Sequence, residues 1–153
     1  MSNTAPFGHL RLAKDYLQAA KKVQLLPNSA LDELKLKINF PAYFLVGHAV
    51  ELALKSFLLG RGLSINELRG RKYGHNICAL ITECRRRKLG HEVRLNAQEI
   101  ATLKLLNNCY SDKEFEYTAS GLRRLPSYSC IYLIAEKLCS NLESYSRRIA
   151  GLT

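Results

Sequence analysis

PAYFLVGHAVELALKSFLLG, residues 41–60, is the longest apolar run in the sequence and also holds its most unexpected polar residues. At about 100° per residue, Phe44, Ala49, Val50, Leu52, Ala53, Leu54, Phe57, Leu58 and Leu59 spread round most of a helical cylinder, the pattern of a helix buried on nearly all sides. Into that surface the sequence sets His48, Glu51 and Lys55 at i, i+3 and i+7, so that the three share one narrow stripe. Charges on a buried helix must be paired or must face a cleft. Two readings follow: an internal network in which Glu51 bridges Lys55 and His48, or a solvent-accessible functional groove. The three polar residues also make a membrane span an unexpected use of this run.

The flanking sequence reads as further helices. Residues 5–24 place Leu10, Ala13, Leu17 and Ala20 at spacings of three and four, an amphipathic helix ended near Pro27. Ser29 to Lys37 can form a short helical piece capped by Ser29, and Pro41 opens the central helix where its missing N–H costs nothing. Gly47 inside that helix predicts a close approach by a neighbouring element. After the linker RGLSINELRGRKYG, residues 61–74, Asn76 or His75 caps a helix with Ile77, Leu80, Ile81 and Cys84 on its buried stripe, closed by Gly90. Asn96 and Glu99 form a capping-box-like start to the next helix, whose Ile100, Leu103, Leu106 and Tyr110 share a face. The stretch from Tyr110 to Tyr128 mixes tyrosines with charges and reads as an ordered loop. Pro126 and Ser127 then begin a last helix with Ile131, Ile134, Leu138, Leu142, Tyr145 and Ile149 on one stripe, suited to burial in a bundle or across a dimer seam. The expected fold is all-α, a single domain over residues 1–153 built as an up-and-down bundle of four long helices plus short pieces.

Composition narrows the partners. Twenty-three Lys and Arg stand against 13 Asp and Glu, a formal net charge of +10, which favours polyanions. The cations cluster at Arg69, Arg71 and Lys72, at Arg85, Arg86, Arg87 and Lys88, and at Arg123 and Arg124. Five cysteines without a C-x-x-C pair read as reduced core thiols of a cytoplasmic protein, and no signal peptide is expected from MSNTAPFGHLRLAKD. No Gly-rich phosphate fingerprint, H-E-x-x-H or paired Cys/His spacing is present, so neither cofactor nor metal is expected.

The run HAVELALKSFLLGRG, followed by GHNICALITECRRRKLG from Gly74 to Gly90, resembles the HEPN domains (higher eukaryotes and prokaryotes nucleotide-binding), helical bundles in which a His/Glu/Lys-bearing helix precedes a Gly-His-led one. The resemblance spans roughly residues 5–150, with these two blocks specific. It implies a bundle that usually dimerises, found among toxins, defence effectors, partners of nucleotidyltransferases and RNA- or protein-binding modules. Catalytic members are metal-independent ribonucleases with an Arg followed four to six residues later by a His at the start of the last long helix. Here that place reads GLRRLPSYSCIYL: Arg123 and Arg124 are present and no His follows.

Metal-free RNA cleavage needs a base for the 2′-OH, an acid for the leaving oxygen and a cation on the phosphorane. Candidate catalytic residues are therefore His48, Glu51, Lys55, His75, Arg123 and Arg124. The pairs Arg69 with His75 and Arg86 with His91 also have suitable spacing, although such pairs arise easily by chance in so basic a chain. His75, in RKYGH beside Arg71, Lys72 and Tyr73, either forms part of a phosphate-binding corner facing the His48–Glu51–Lys55 stripe or serves as a helix cap packed on the central helix. The cations at 85–88 either complement the helix dipole or face phosphate. Tyr110, Tyr117 and Tyr128 either stack bases beside Arg123 and Arg124 or fix the loop to the bundle. His9 and His91 read as isolated surface residues. The leading expectation is a HEPN-like module that binds RNA, a nucleotide or a protein partner, in a toxin–antitoxin or antiphage setting. A ribonuclease with a displaced His/Arg site and a structural interaction domain are the alternatives.

Overall fold

A computed structural model describes residues 3–25, 39–110 and 125–152. Among the described residues the protein is helical throughout and has no strand. The elements are α1 (Ala5–Leu25), α2 (Phe40–Gly60), α3 (Ile65–Arg69), α4 (Ile77–Arg86), a 3₁₀ turn at Leu89–His91, α5 (Ala97–Tyr110) and α6 (Tyr128–Ala150).

Helix α2 is the centre, as its apolar perimeter requires. Ala49, Val50, Ala53, Leu54, Phe57 and Leu58 are fully buried, and buried residues of all the long helices join them in one apolar cluster. By length and composition α2 could cross a membrane, and 78% of its most apolar window is buried inside the fold. Asn39 caps its start by accepting from the Ala42 amide at 3.1 Å.

Cross-helix hydrogen bonds give the directions. Asn39 Nδ2 donates to the Val23 carbonyl and Ser56 Oγ to the Pro6 carbonyl, so α1 and α2 are antiparallel. Tyr43 donates to Pro126 and Tyr145 to Phe57, which sets α6 parallel to α2. Lys137 on α6 donates to Glu99 at the start of α5, whereas Tyr110 at the other end of α5 and Tyr128 at the start of α6 both reach the Tyr43–Phe44 region. The four long helices therefore alternate in direction along the chain.

Three local expectations are amended. The linker 61–74 contains α3, whose Ser64 and Glu67 form a reciprocal capping box; the S-x-x-E spacing was present but the surrounding glycines obscured it. Asn76, not His75, caps α4, accepting from the Ala79 amide. Helix α4 ends at Arg86 and turns at Lys88, which has φ +69°, so Gly90 lies in the following 3₁₀ turn and does not close the helix. The helical piece expected at Ser29–Lys37 and most of the loop after Tyr110 lie outside the described residues, as do Tyr117, Arg123 and Arg124. All five thiols are free: Cys84, Cys109 and Cys139 are buried, Cys78 is half-buried and Cys130 is exposed.

Candidate functional site

The stripe on α2 forms the floor of a polar cluster. Glu51 is 2% exposed, and Lys55 one turn away donates to its Oε1 at 2.6 Å. The other oxygen, Oε2, receives groups from two further elements. Tyr110 at the end of α5 donates its hydroxyl to Oε2, and His75 from the loop before α4 brings Nδ1 to 3.1 Å. His48 Nδ1 lies 3.4 Å from Oε2 and 3.1 Å from the Tyr110 oxygen.

Donor chemistry fixes the protons. A carboxylate oxygen only accepts, so the His75 contact places a proton on Nδ1. The Tyr110 proton goes to Glu51, which leaves the phenol oxygen to accept from His48 Nδ1. Nε2 of each imidazole has no hydrogen-bond partner among the described residues. Burial alone would raise the Glu51 pKa; hydrogen bonds from His48, Lys55 and Tyr110, with the Lys55 charge, outweigh it and hold the carboxyl well below the usual range. Glu51 is an anion throughout the neutral range.

Backbone and packing aim these side chains. His75 has φ +53°, a left-handed conformation uncommon outside glycine, and this kink presents its ring to Glu51 while leaving the side chain 45% exposed. Gly47 leaves the space into which the Tyr110 ring packs: a Cβ there would lie 2.7 Å from Tyr110 Cδ2. The close approach expected at Gly47 is thus a ring against a helix. Tyr16 of α1 meets the His48 ring edge-on at 4.5 Å, and the Phe44 ring lies parallel to it at 6.0 Å.

The other candidates separate. Arg69, Arg71 and Lys72 are exposed beside His75 and have no carboxylate partner among the described residues. Arg86 and Arg87 are both held by the single carboxylate of Glu83, at 2.5 and 2.7 Å, which offsets one of their two charges locally; Arg85 and Lys88 stay exposed. Lys72, Tyr73, Arg86 and Arg87 line one open cleft of about 460 Å³ that Glu67 and Glu83 also enter. Tyr110 is buried with its hydroxyl on Glu51 and cannot stack bases, and Tyr73 is buried in the wall of that cleft with the Lys72 ammonium over its ring. Tyr128 packs edge-on against Tyr43 at 5.6 Å with its hydroxyl buried. His91 is exposed as expected.

His9 was missed. It is half-buried on α1, and burial first, then the charges of Lys55 and Arg69, lower its pKa, which puts it at the Lys55 end of the row. No spacing in the sequence links position 9 to positions 55 and 69; only the α1–α2 packing does.

Compared with known protein families, curated proteins and solved structures, the chain matches none.

Proposed function

We propose that this protein is a HEPN-like module that binds the phosphates of RNA or of a nucleotide at the face formed by His75, Arg69, Arg71 and Lys72. The observation that supports it most directly is the contrast in charge pairing. Arg86, Arg87, Arg147 and Arg148 are held by Glu83, Glu143 and Glu92, whereas Arg69, Arg71 and Lys72, close to His75 in sequence, are exposed with no carboxylate partner among the described residues, as are Arg85 and Lys88. A bacterial defence or toxin–antitoxin setting, a cytoplasmic location, a homodimer and a nucleotidyltransferase or other protein partner belong to the same reading.

The test is binding of labelled single-stranded RNA in EDTA across a salt series. Each phosphate neutralised on a single strand contributes about −0.7 to the slope of log affinity against log salt. Arg71→Ala and Lys72→Ala should each lower the steepness by roughly that amount. A salt-insensitive complex, or none, would replace RNA with a protein partner.

The free Nε2 edges of His48 and His75 favour a second reading, cleavage without metal. One imidazole would take the 2′-OH proton as that oxygen attacks phosphorus. The other, entering the reaction as an imidazolium with a second proton on Nε2, would give that proton to the departing 5′ oxygen, leaving a 2′,3′-cyclic phosphate and a 5′-hydroxyl. In the same EDTA assay this predicts cleavage that disappears in His48→Ala and in His75→Ala; binding without cleavage removes it.

A further inference from the structure

We infer that His48, Glu51 and His75 form a binding site for a first-row divalent cation of the zinc class, with Lys55 and Tyr110 as its outer shell. This does not rest on the RNA reading, because it concerns the cluster with no nucleic acid present. The argument begins with convergence. The Tyr110 hydroxyl and His75 Nδ1 both donate to Glu51 Oε2, and His48 Nδ1 stands 3.4 Å from the same oxygen while donating to the Tyr110 oxygen, so three polar groups converge on one carboxylate oxygen. Lys55 holds Oε1, so a cation would meet Oε2 alone.

The spacing suits a metal. Bonds of about 2.0–2.2 Å to nitrogen and oxygen in a tetrahedron place neighbouring ligand atoms about 3.3–3.5 Å apart. His75 Nδ1 and His48 Nδ1 stand 3.1 and 3.4 Å from Oε2, and one ligand atom from each of the three residues lies within 4.8 Å of the others. Two imidazoles and a carboxylate are the donor set of open zinc sites, in which water completes the coordination. The His75 side chain is 45% exposed, so solvent reaches this side of the cluster.

Binding requires a change of tautomer at each ring and exchanges the hydrogen bonds from His75 Nδ1 to Glu51 and from His48 Nδ1 to Tyr110 for bonds to the metal. The Nδ1 protons move to Nε2, and neutral imidazole then offers its Nδ1 lone pair. Lys55 and Tyr110 play the part of outer partners that orient a ligating carboxylate. His48 and Glu51 come from one helix at i, i+3, a spacing that puts both ligands on the same face. The third comes from 24 residues beyond Glu51, which is why no metal spacing shows in the sequence.

The test uses the full chain in a Cys130→Ser background, which removes the exposed thiol, stripped of metal and titrated with Zn²⁺ alone and then with Co²⁺. The expected result is one equivalent of Zn²⁺ per chain. Co²⁺ should give visible bands of four-coordinate nitrogen and oxygen ligation without a thiolate charge-transfer band. His75→Asn, chosen because Asn tolerates a left-handed backbone, and His48→Asn should each weaken Zn²⁺ by about 100-fold, at least as much as loss of an outer partner costs. Circular dichroism establishes that each variant is folded. No stoichiometric uptake, a thiolate band, or unchanged affinity in folded His75→Asn would overturn the site.

Discussion

Glu51→Ala should destabilise the fold by about 3–5 kcal/mol in urea denaturation at pH 7, because it leaves the Lys55 ammonium largely buried without its counter-ion. The same change strands the Tyr110 hydroxyl and the His75 Nδ1 proton, both of which donate to Glu51 Oε2. Lys55→Met should cost less, since Glu51 keeps three polar neighbours. Glu51→Ala/Lys55→Met should recover part of the loss, because no unpaired charge then remains in the interior. A double variant no more stable than Glu51→Ala would show that the ion pair is not what the cluster is built on.

The pH dependence follows from the depressed Glu51 pKa. A carboxyl held lower in the folded than in the unfolded chain contributes stability that is fully present above the unfolded value, near 4.5. That contribution is lost as the pH falls below it and the folded carboxyl is titrated. The gap between wild type and Glu51→Ala should therefore narrow as the pH falls below about 4.5. A gap that widens in acid would contradict the sign of the shift.

Gly47→Val should cost about 3 kcal/mol, the upper end of the range for overpacking a filled site. Even the first added carbon would sit 2.7 Å from Cδ2 and 3.0 Å from Cε2 of Tyr110. That ring cannot swing aside: it is buried, its hydroxyl is on Glu51, Phe44 packs on it at 6.0 Å and His75 at 5.9 Å. The gain of roughly a few tenths of a kcal/mol from replacing a helical glycine by β-branched valine is too small to offset the clash. In a Tyr110→Ala background the ring is gone, so the same substitution should be far less costly. Equal costs in the two backgrounds would mean that Gly47 is needed for something other than the tyrosine. Thermal melts of the four proteins decide the matter, and near-ultraviolet circular dichroism reports whether Tyr110 has left its seat.

Much of the architecture was legible because helix signals are local. The three- and four-residue spacing of Leu10, Ala13, Leu17 and Ala20, and of Ile131, Ile134, Leu138, Leu142 and Tyr145, marks faces that the fold buries. Asn96 with Glu99 announces a capping box that forms as written. The ion pair of Glu51 with Lys55 was equally plain, because residues four apart on a helix are neighbours whatever surrounds them. Asn76 and the end of α4 were harder, since adjacent residues compete for a cap with similar chemistry.

What the sequence determined by itself is thus a set of helices, their apolar faces and a buried His/Glu/Lys stripe on the central one. Tertiary packing decided the rest. It brought Tyr110 to Glu51 across 59 residues and His75 across 24, and it put half-buried His9 within reach of the charges of Lys55 and Arg69. It also set Tyr73 and Tyr110 in the interior, where sequence reading had them available to a ligand. The physical reason is range. Helical periodicity and capping are settled within one or two turns of the chain, whereas the partner of a buried charge is whichever donor the packing of other helices delivers, and no local pattern encodes that meeting.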